Sequence, residues 1–395
     1  MIIKNSNKFI HNMSILSFTL YMITLFTFVE HPVLYRLSQI CFILFTVFAC
    51  IEILYNNKFF TNIYLIYFSI IPFVFLISYI WAVDSNIVIS KSITISQISV
   101  LCILAYNVIM YDSKEERIVD IILIAGVCMC IYSVVFYGPK EIINSMITGY
   151  RLGSEISQEN IFGMNAAITV LACFYKCLYN NKKYFILIPL PFIIAMSSGS
   201  KKALISIFIG IMIILFLKYG LKHIFKLLLS TIFTVLVIWM ILQNPIFESI
   251  NGRMEEFMNI FNSSGKVDSS TQLRKDFIEF GVDKFLEKPF LGYGTSNYAE
   301  INIVRPGYYS HNNFIEILVN NGVIGFIIYY SAYIYILYNL LLIIKKDKIA
   351  PFLFTIIFIT LVMQVAIVVF YDKLQYIYLM FGFAYIKNKS LKNKV

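Results

Sequence analysis

The chain has 395 residues, 59% of them hydrophobic and only 14% charged, with 32 lysines and arginines against 22 acidic residues. That composition lies outside the range of soluble globular domains and inside that of polytopic membrane proteins. Apolar runs recur from end to end, so one integral membrane domain over residues 1–395 is the simplest organisation.

A membrane crossing needs roughly 20 apolar residues. Runs of that kind begin near Phe9, Val33, Phe59, Ile87, Arg117, Ile161, Tyr184, Ala203, Lys222, Asn312, Pro351 and Leu374. The hydrophobic-length criterion therefore predicts an all-α fold of about twelve transmembrane helices. Pro72, Pro189 and Pro191 interrupt some of these runs, which is tolerable where neighbouring helices satisfy the freed carbonyls. The first run is long and lacks a small-residue cleavage site, so it reads as a retained helix and not as a signal peptide.

Basic residues in the connecting segments set the orientation. With Lys4 and Lys8 on the cytoplasmic side, the segments around Lys58, Arg117, Lys182 and Lys183, Lys218 to Lys226 and Lys345 to Lys348 fall there too, as does the tail "KNKSLKNKV". Both termini are then cytoplasmic. Short external loops such as "WAVDSN" and "YDK" carry little positive charge. The same topology puts two hydrophilic segments outside: a large extracytoplasmic loop over residues 243–310 and a smaller one over 138–159.

All seven cysteines fall inside predicted spans. Cys173 and Cys177 have the helical i, i+4 spacing, but no histidine or carboxylate accompanies them, so they read as small packing residues and no metal site or cofactor is predicted.

Several external cations come from different loops. Arg151 precedes an apolar helix in "MITGYRLGSEISQENIFG", and Lys201 and Lys202 stand in "SSGSKKALI", where two spans should meet. Arg253 and Arg305 lie in the large loop. Arg274 sits in "STQLRKDFIEFGVDKFLEKPFLGYG", whose Leu273, Phe277 and Phe280 recur at helical spacing and predict an amphipathic surface helix. Lys266, Lys284 and Lys288 read as solvated surface. Guanidinium forks and ammonium groups together suit a diphosphate, an anionic lipid or an acidic sugar. Nucleic acid is not expected, because there is no soluble basic domain and the cations face outward.

From Arg274 onward, "KPFLGYGTSNY" and "SHNNFIEILVNNGVIG" resemble the C-terminal region of the O-antigen ligase and O-antigen polymerase family, with Arg274, Pro289, Gly292, Gly294, His311, Asn312, Gly322 and Gly325 in that order. Upstream, Arg151, Gly153 and Asn160 resemble the family's Arg-Gly…Asn element, and "SKKA" its basic turn, with Lys201 where the family carries arginine. Lysine keeps the charge and loses the bidentate fork. The resemblance covers Arg151 to Gly325; the first hundred residues share only hydropathy.

The resemblance implies a metal-independent glycosyltransferase of the bacterial inner membrane. Its donor would be a glycan on a polyprenyl diphosphate, presented at the outer face of the bilayer, and its partners a flippase and a chain-length regulator of the same pathway. Arg274 and His311 would be catalytic, with Arg151, Lys201, Lys202, Arg253, Arg305 and Asn312 holding diphosphate or substrate. Diphosphate leaves readily once its charge is neutralised, and neutral imidazole can take the proton of the attacking hydroxyl. The competing role for His311 is to cap the helix that follows. His11, His31 and His223 have no comparable context.

Two chemistries of the family stay open. A polymerase joins lipid-linked repeat units into O-antigen or capsular polysaccharide; a ligase moves the finished glycan to lipid A-core, or to protein in the O-oligosaccharyltransferases. Polymerase is the preferred reading. A flippase for the lipid-linked sugar is a third, disfavoured by the absence of an internal repeat and by the few acids within spans, Glu52 and Glu316.

Overall fold

The computed structural model describes residues 8–112, 114–220 and 269–392, with side chains of the last stretch from residue 272. Among these the chain is helical throughout, with no β-strand. The helices are α1 (Lys8–Thr27), α2 (Tyr35–Asn56), α3 (Ile63–Ile77), α4 (Ser85–Tyr111), α5 (Arg117–Thr148), α6 (Glu159–Tyr179), α7 (Pro189–Ser197), α8 (Lys201–Tyr219), α9 (Ser269–Glu287), α10 (Tyr298–Ile301), α11 (Asn313–Ile343), α12 (Ala350–Met363) and α13 (Lys373–Lys392).

Eight of them, α1 to α6, α8 and α11, are long and apolar enough to cross a membrane, α3 and α11 being extended by short 3₁₀ turns. Among the described residues the protein is all-helical, and its several apolar helices are those of a multi-pass membrane protein. Eight of the predicted starts lie within a few residues of these helices. The run near Tyr184 instead forms a 3₁₀ turn and the nine-residue α7, because Pro189 and Pro191 suit a first helical turn and not a helix interior. The run near Pro351 becomes the 14-residue α12, and that near Leu374 the 20-residue α13, whose last turn carries Lys389 and Lys392. The run near Lys222 lies outside the described residues.

The two predicted external segments are not plain loops. Between residues 138 and 148 helix α5 continues past a kink, where Gly138 adopts φ 76° ahead of Pro139. The described part of 243–310 holds α9 and α10.

Aspartates start several helices from outside. Asp84 accepts the amides of Asn86 and Ile87 ahead of α4, Asp347 those of Ile349 and Ala350 ahead of α12, and Asp372 those of Leu374 and Gln375 ahead of α13. Each satisfies amides that no intrahelical carbonyl can reach.

The chain divides into two compact units. The first comprises residues 1–57, 111–265 and 341–359. Several of its charged residues are paired. His11 lies 2.7 Å from Glu52 and 3.6 Å from Asp112, which holds Arg117 at 2.7 Å. Burial raises the Asp112 pKa, but the bonds from His11, Arg117 and the Lys114 amide outweigh it and bring the carboxyl down to about 2. Lys176, nearly fully buried, reaches Glu116 at 2.8 Å and Asp120 at 2.7 Å. His31, by contrast, accepts the amide of Leu34 at 3.1 Å and shapes the entry to α2.

The second unit comprises residues 58–110, 266–340 and 360–395. Its centre is a break in α11. Gly322 has φ 63° and ψ −169°, a region open essentially to glycine alone. A regular helix would bond Val323 N–H to Val319 O and Ile324 N–H to Asn320 O. Here the segment Pro289–Gly294 is inserted between those partners. Val323 N–H donates to Pro289 O at 2.8 Å and Ile324 N–H to Phe290 O at 3.5 Å. Tyr293 and Gly294 return the bonds, donating to Val319 O at 2.9 Å and Asn320 O at 2.8 Å. These two amides and two carbonyls at the break are met by the "PFLGYG" turn, as a low-dielectric setting demands.

Such close pairing leaves no space for side chains. A Cβ on Gly322 would lie 2.1 Å from Phe290 O, and one on Gly292 2.4 Å from Val319 O. Gly307 also has a positive φ, 81°, but nothing within 4 Å of its Cβ position. Gly307→Ala should therefore cost only backbone strain, roughly 1–2 kcal/mol. Gly322→Ala adds a backbone collision and should cost more than about 4 kcal/mol or prevent insertion. Thermal unfolding of the two purified variants in detergent checks this; equal losses would remove the inserted turn as the reason for glycine.

Candidate functional site

The stretch "SHNNFIEILVNNG" begins where α11 starts. Helix α9 packs across it: a Cβ on Gly281 would meet Ile315, Tyr298 and Val319, and Phe280 joins Tyr293, Tyr298 and Val319 in a small apolar core. This is the amphipathic helix expected from the spacing of Phe277 and Phe280, laid on the second unit by those rings.

His311 is half-buried, with φ 57°, in the left-handed region that histidine visits more readily than most residues. Its ring stacks on Phe277 at 6.0 Å between centroids, with 16° between planes, and lies 4.2 Å from the Tyr309 ring. Phe277 is fixed in turn, because its carbonyl accepts the Tyr298 hydroxyl at 2.6 Å. Arg274 stands one helical turn before Phe277, exposed on α9. Residues three apart on a helix are neighbours. The fold thus places Arg274 one turn along the helix from the ring that His311 stacks on.

The capping role falls to the next residue. Asn312 Oδ1 accepts the amides of Phe314 at 2.9 Å and Ile315 at 3.2 Å, the bonds of an N-cap. Its carbonyl accepts the Ser310 hydroxyl at 2.7 Å. Asn313 is fully buried; it donates to Gln364 at 2.8 Å and Tyr330 at 3.1 Å and accepts the amides of Val369 and Phe370. Asn320 accepts the Tyr298 amide at 2.7 Å, and Asn321 donates to Thr295 at 2.7 Å. These asparagines fasten the second unit together.

Other expected residues of this unit take simpler positions. Arg305 is exposed, its guanidinium 3.9 Å above the Tyr308 ring, in a turn organised by buried Asn302. Lys284 pairs with Glu287 at 2.6 Å on the surface of α9, and Lys288 lies 4.4 Å over the Tyr293 ring. Tyr293 also donates to Glu287; burial and the adjacent carboxylate push its phenol up to about 12. Arg253 and Lys266 lie outside the described residues.

The first unit gathers the remaining cations. Arg151 donates from Nε to Ser198 O at 3.1 Å and from Nη2 to Asn160 Oδ1 at 2.9 Å; Ser200 also reaches Asn160 at 3.3 Å. Leu152 N–H donates to Ser197 O at 3.1 Å. Arg151 thereby ties its own segment to the turn that leads into α8, and Lys201 and Lys202 open that helix. The expected cations fall into two groups, one in each unit.

The comparison with known families falls on this part of the chain. Residues 185–330 match the family model described as O-Antigen ligase. Those residues are similar to that family, which supports the resemblance read from the motifs around Arg274 and His311. The matched stretch runs from the turn before α7 to the middle of α11 and holds Lys201, Lys202, Arg253, Arg274, Arg305, His311 and Asn312; Arg151 precedes it. The match covers 146 of the 395 residues, so it marks a likeness of this part of the chain to that family. No curated protein matches the chain.

Two residues near His311 were given no role in the sequence reading, which named Glu316 only as an acid within a span and did not name Lys91. Glu316 is 2% exposed and accepts the Ser310 amide at 2.8 Å. Lys91 on α4 lies close enough for its charge to act on Glu316, with its Nζ 4.0 Å over the Tyr371 ring. The only signal was a glutamate five residues after the histidine in an apolar run. If Asn312 is a cap, Asn312→Asp should keep stability, while Asn312→Ala should lose about 1 kcal/mol in chemical or thermal unfolding. An Asn312→Ala protein as stable as the parent would return the capping role to another group.

Proposed function

We propose that the protein polymerises polyprenyl-diphosphate-linked oligosaccharide repeat units into O-antigen or capsular polysaccharide at the outer face of the cytoplasmic membrane, with both termini cytoplasmic. The observation that carries this is the placement of His311: partly accessible, held in a left-handed conformation at the head of α11, stacked on Phe277, with Arg274 one turn away on α9. Its imidazole is not spent on capping, since Asn312 does that.

In this reading, an imidazole nitrogen of His311 takes the proton of the acceptor sugar hydroxyl as its oxygen attacks the anomeric carbon of the donor. The bond from that carbon to the diphosphate oxygen breaks, and the charge leaves with the polyprenyl diphosphate. Arg274 neutralises it through a bidentate fork, a task otherwise given to a metal ion. Arg305 and Asn312 line the same unit. In the other unit, Arg151 braces the turn presenting Lys201 and Lys202 at a helix start, where backbone amides and lysine charge favour phosphate. Arg253 is assigned to substrate binding on sequence alone. The twelve-span architecture and the external placement of 243–310 belong to the same proposal.

Deleting the base should stop chain growth without unfolding the protein. His311→Ala, and His311→Asn, which a left-handed backbone tolerates, should each lower polymer formation by roughly 10²- to 10⁴-fold. Single lipid-linked units then accumulate on the external face. Arg274→Lys should lose most activity, whereas Lys284→Ala, on the surface of α9, should be nearly silent. The measurement is the length and sidedness of lipid-linked glycan in each strain. Long polymer retained on the carrier identifies a ligase, units stranded on the cytoplasmic side a flippase, and normal delivered polymer removes His311 from catalysis.

Orientation has its own test. Ser154 and Asn181 are both exposed. Cysteines placed at each, in a background lacking the seven native ones, should react with an impermeant thiol reagent at Ser154 and not at Asn181 in cells stripped of their outer barrier. The reverse pattern inverts the topology.

A further inference from the structure

Glu316 is a carboxylate almost sealed from solvent, at 2% exposure. Both of its oxygens are engaged. Oε2 accepts the Ser310 amide at 2.8 Å, and Oε1 accepts Asn320 Nδ2 at 3.3 Å. Asn320 is itself part of the helix break: its carbonyl accepts Gly294 N–H at 2.8 Å and its side-chain oxygen the Tyr298 amide at 2.7 Å. Lys91 supplies the opposite charge.

Ser310 is the residue immediately before His311, and it is fully buried. Its hydroxyl donates to Asn312 O at 2.7 Å and accepts the Asn312 amide at 3.2 Å, so the two neighbours of His311 are bonded to each other across it. The loop is therefore closed on itself by Ser310 and fastened to α11 by Glu316. A left-handed φ at a non-glycine residue persists only where the surroundings over-determine it, and the carboxylate bond to the Ser310 amide ties the residue before His311 to the helix beneath, as the Asn312 cap ties the residue after it.

A neutral acceptor would satisfy one amide at far lower desolvation cost. A carboxylate, when ionised, holds the amide more strongly, because a charge-assisted bond is roughly twice as strong as a neutral one. We infer that Glu316 is the positioning residue for His311: its buried carboxylate, balanced by Lys91, fixes the Ser310 amide and with it the left-handed presentation of the imidazole. This rests on the reading of His311 as the base. Glu316 does not touch the reacting atoms and acts through the Ser310 peptide.

The test uses the full-length protein in nanodiscs, with lipid-linked repeat units extracted from cells deleted for it. Glu316→Gln should lower kcat by about 10- to 100-fold, the scale of a small misplacement at a reacting centre, while KM for the lipid-linked unit and the unfolding temperature stay unchanged. Adding Lys91→Gln should leave kcat low. Recovery of kcat in that double variant would mean that the glutamate merely balances the lysine, and would overturn the inference. So would a rise in KM, or a Glu316→Gln protein that fails to fold with or without Lys91→Gln, since either assigns the carboxylate to the scaffold. His311→Ala is measured alongside. If it keeps its kcat, the base assignment falls and this inference with it; if it loses kcat while Glu316→Gln does not, only the positioning role falls.

Discussion

The backbone exchange between Pro289–Gly294 and the break in α11 sets most of what surrounds the candidate site. Helix α11 gives up two ladder bonds at Gly322, and the inserted turn meets all four groups they leave, two amides and two carbonyls. In hydrocarbon an unsatisfied peptide group is prohibitively costly, so neither the break nor the turn is stable without the other. The turn is held from its far side too: Trp81 donates to Leu291 O, Val83 N–H to Tyr293 O, and Ser78 and Thr295 bond one another. One covalent detail, two glycines free of Cβ, thus joins α3, α4, α9 and α11 within the second unit.

The polar residues near that exchange divide by duty. Asparagines fasten: Asn312 caps, Asn313 bridges α11 to Gln364 and to the chain ahead of α13, Asn320 and Asn321 bind the inserted segment. An amide suits such work because it offers both donors and acceptors without charge. The histidine has stacking contacts, to Phe277 and Tyr309, that orient its ring, and it is partly accessible. Fastened neighbours and an oriented ring are what a general base requires of its surroundings.

Charge follows the same economy. In the first unit His11, Glu52, Asp112 and Arg117 form one network and Lys176, Glu116 and Asp120 another, so the buried Glu52 and Lys176 each have an opposite charge beside them. In the second unit Glu316 has Lys91. Arginine 274, in contrast, is displayed on the exposed face of α9. The buried Glu52 and Lys176 are neutralised at close range, and this cation is presented outward.

Hydropathy in the sequence determined the all-helical, multi-pass character and most helix starts, because the length of an apolar run answers directly to bilayer thickness. Spacing alone also showed α9 as amphipathic, through Phe277 and Phe280, and motif residues marked the Arg274, Gly292, Gly322 and His311 neighbourhood. What the tertiary structure decided is how those marks are joined. No local pattern says that Pro289–Gly294 enters the ladder of a helix some thirty residues later, that Asn312 and not His311 is the cap, or that His11 sits between two carboxylates from other helices. Hydrogen bonds and ion pairs of this kind depend on which segments meet in space, and a linear sequence carries that information only through the completed packing.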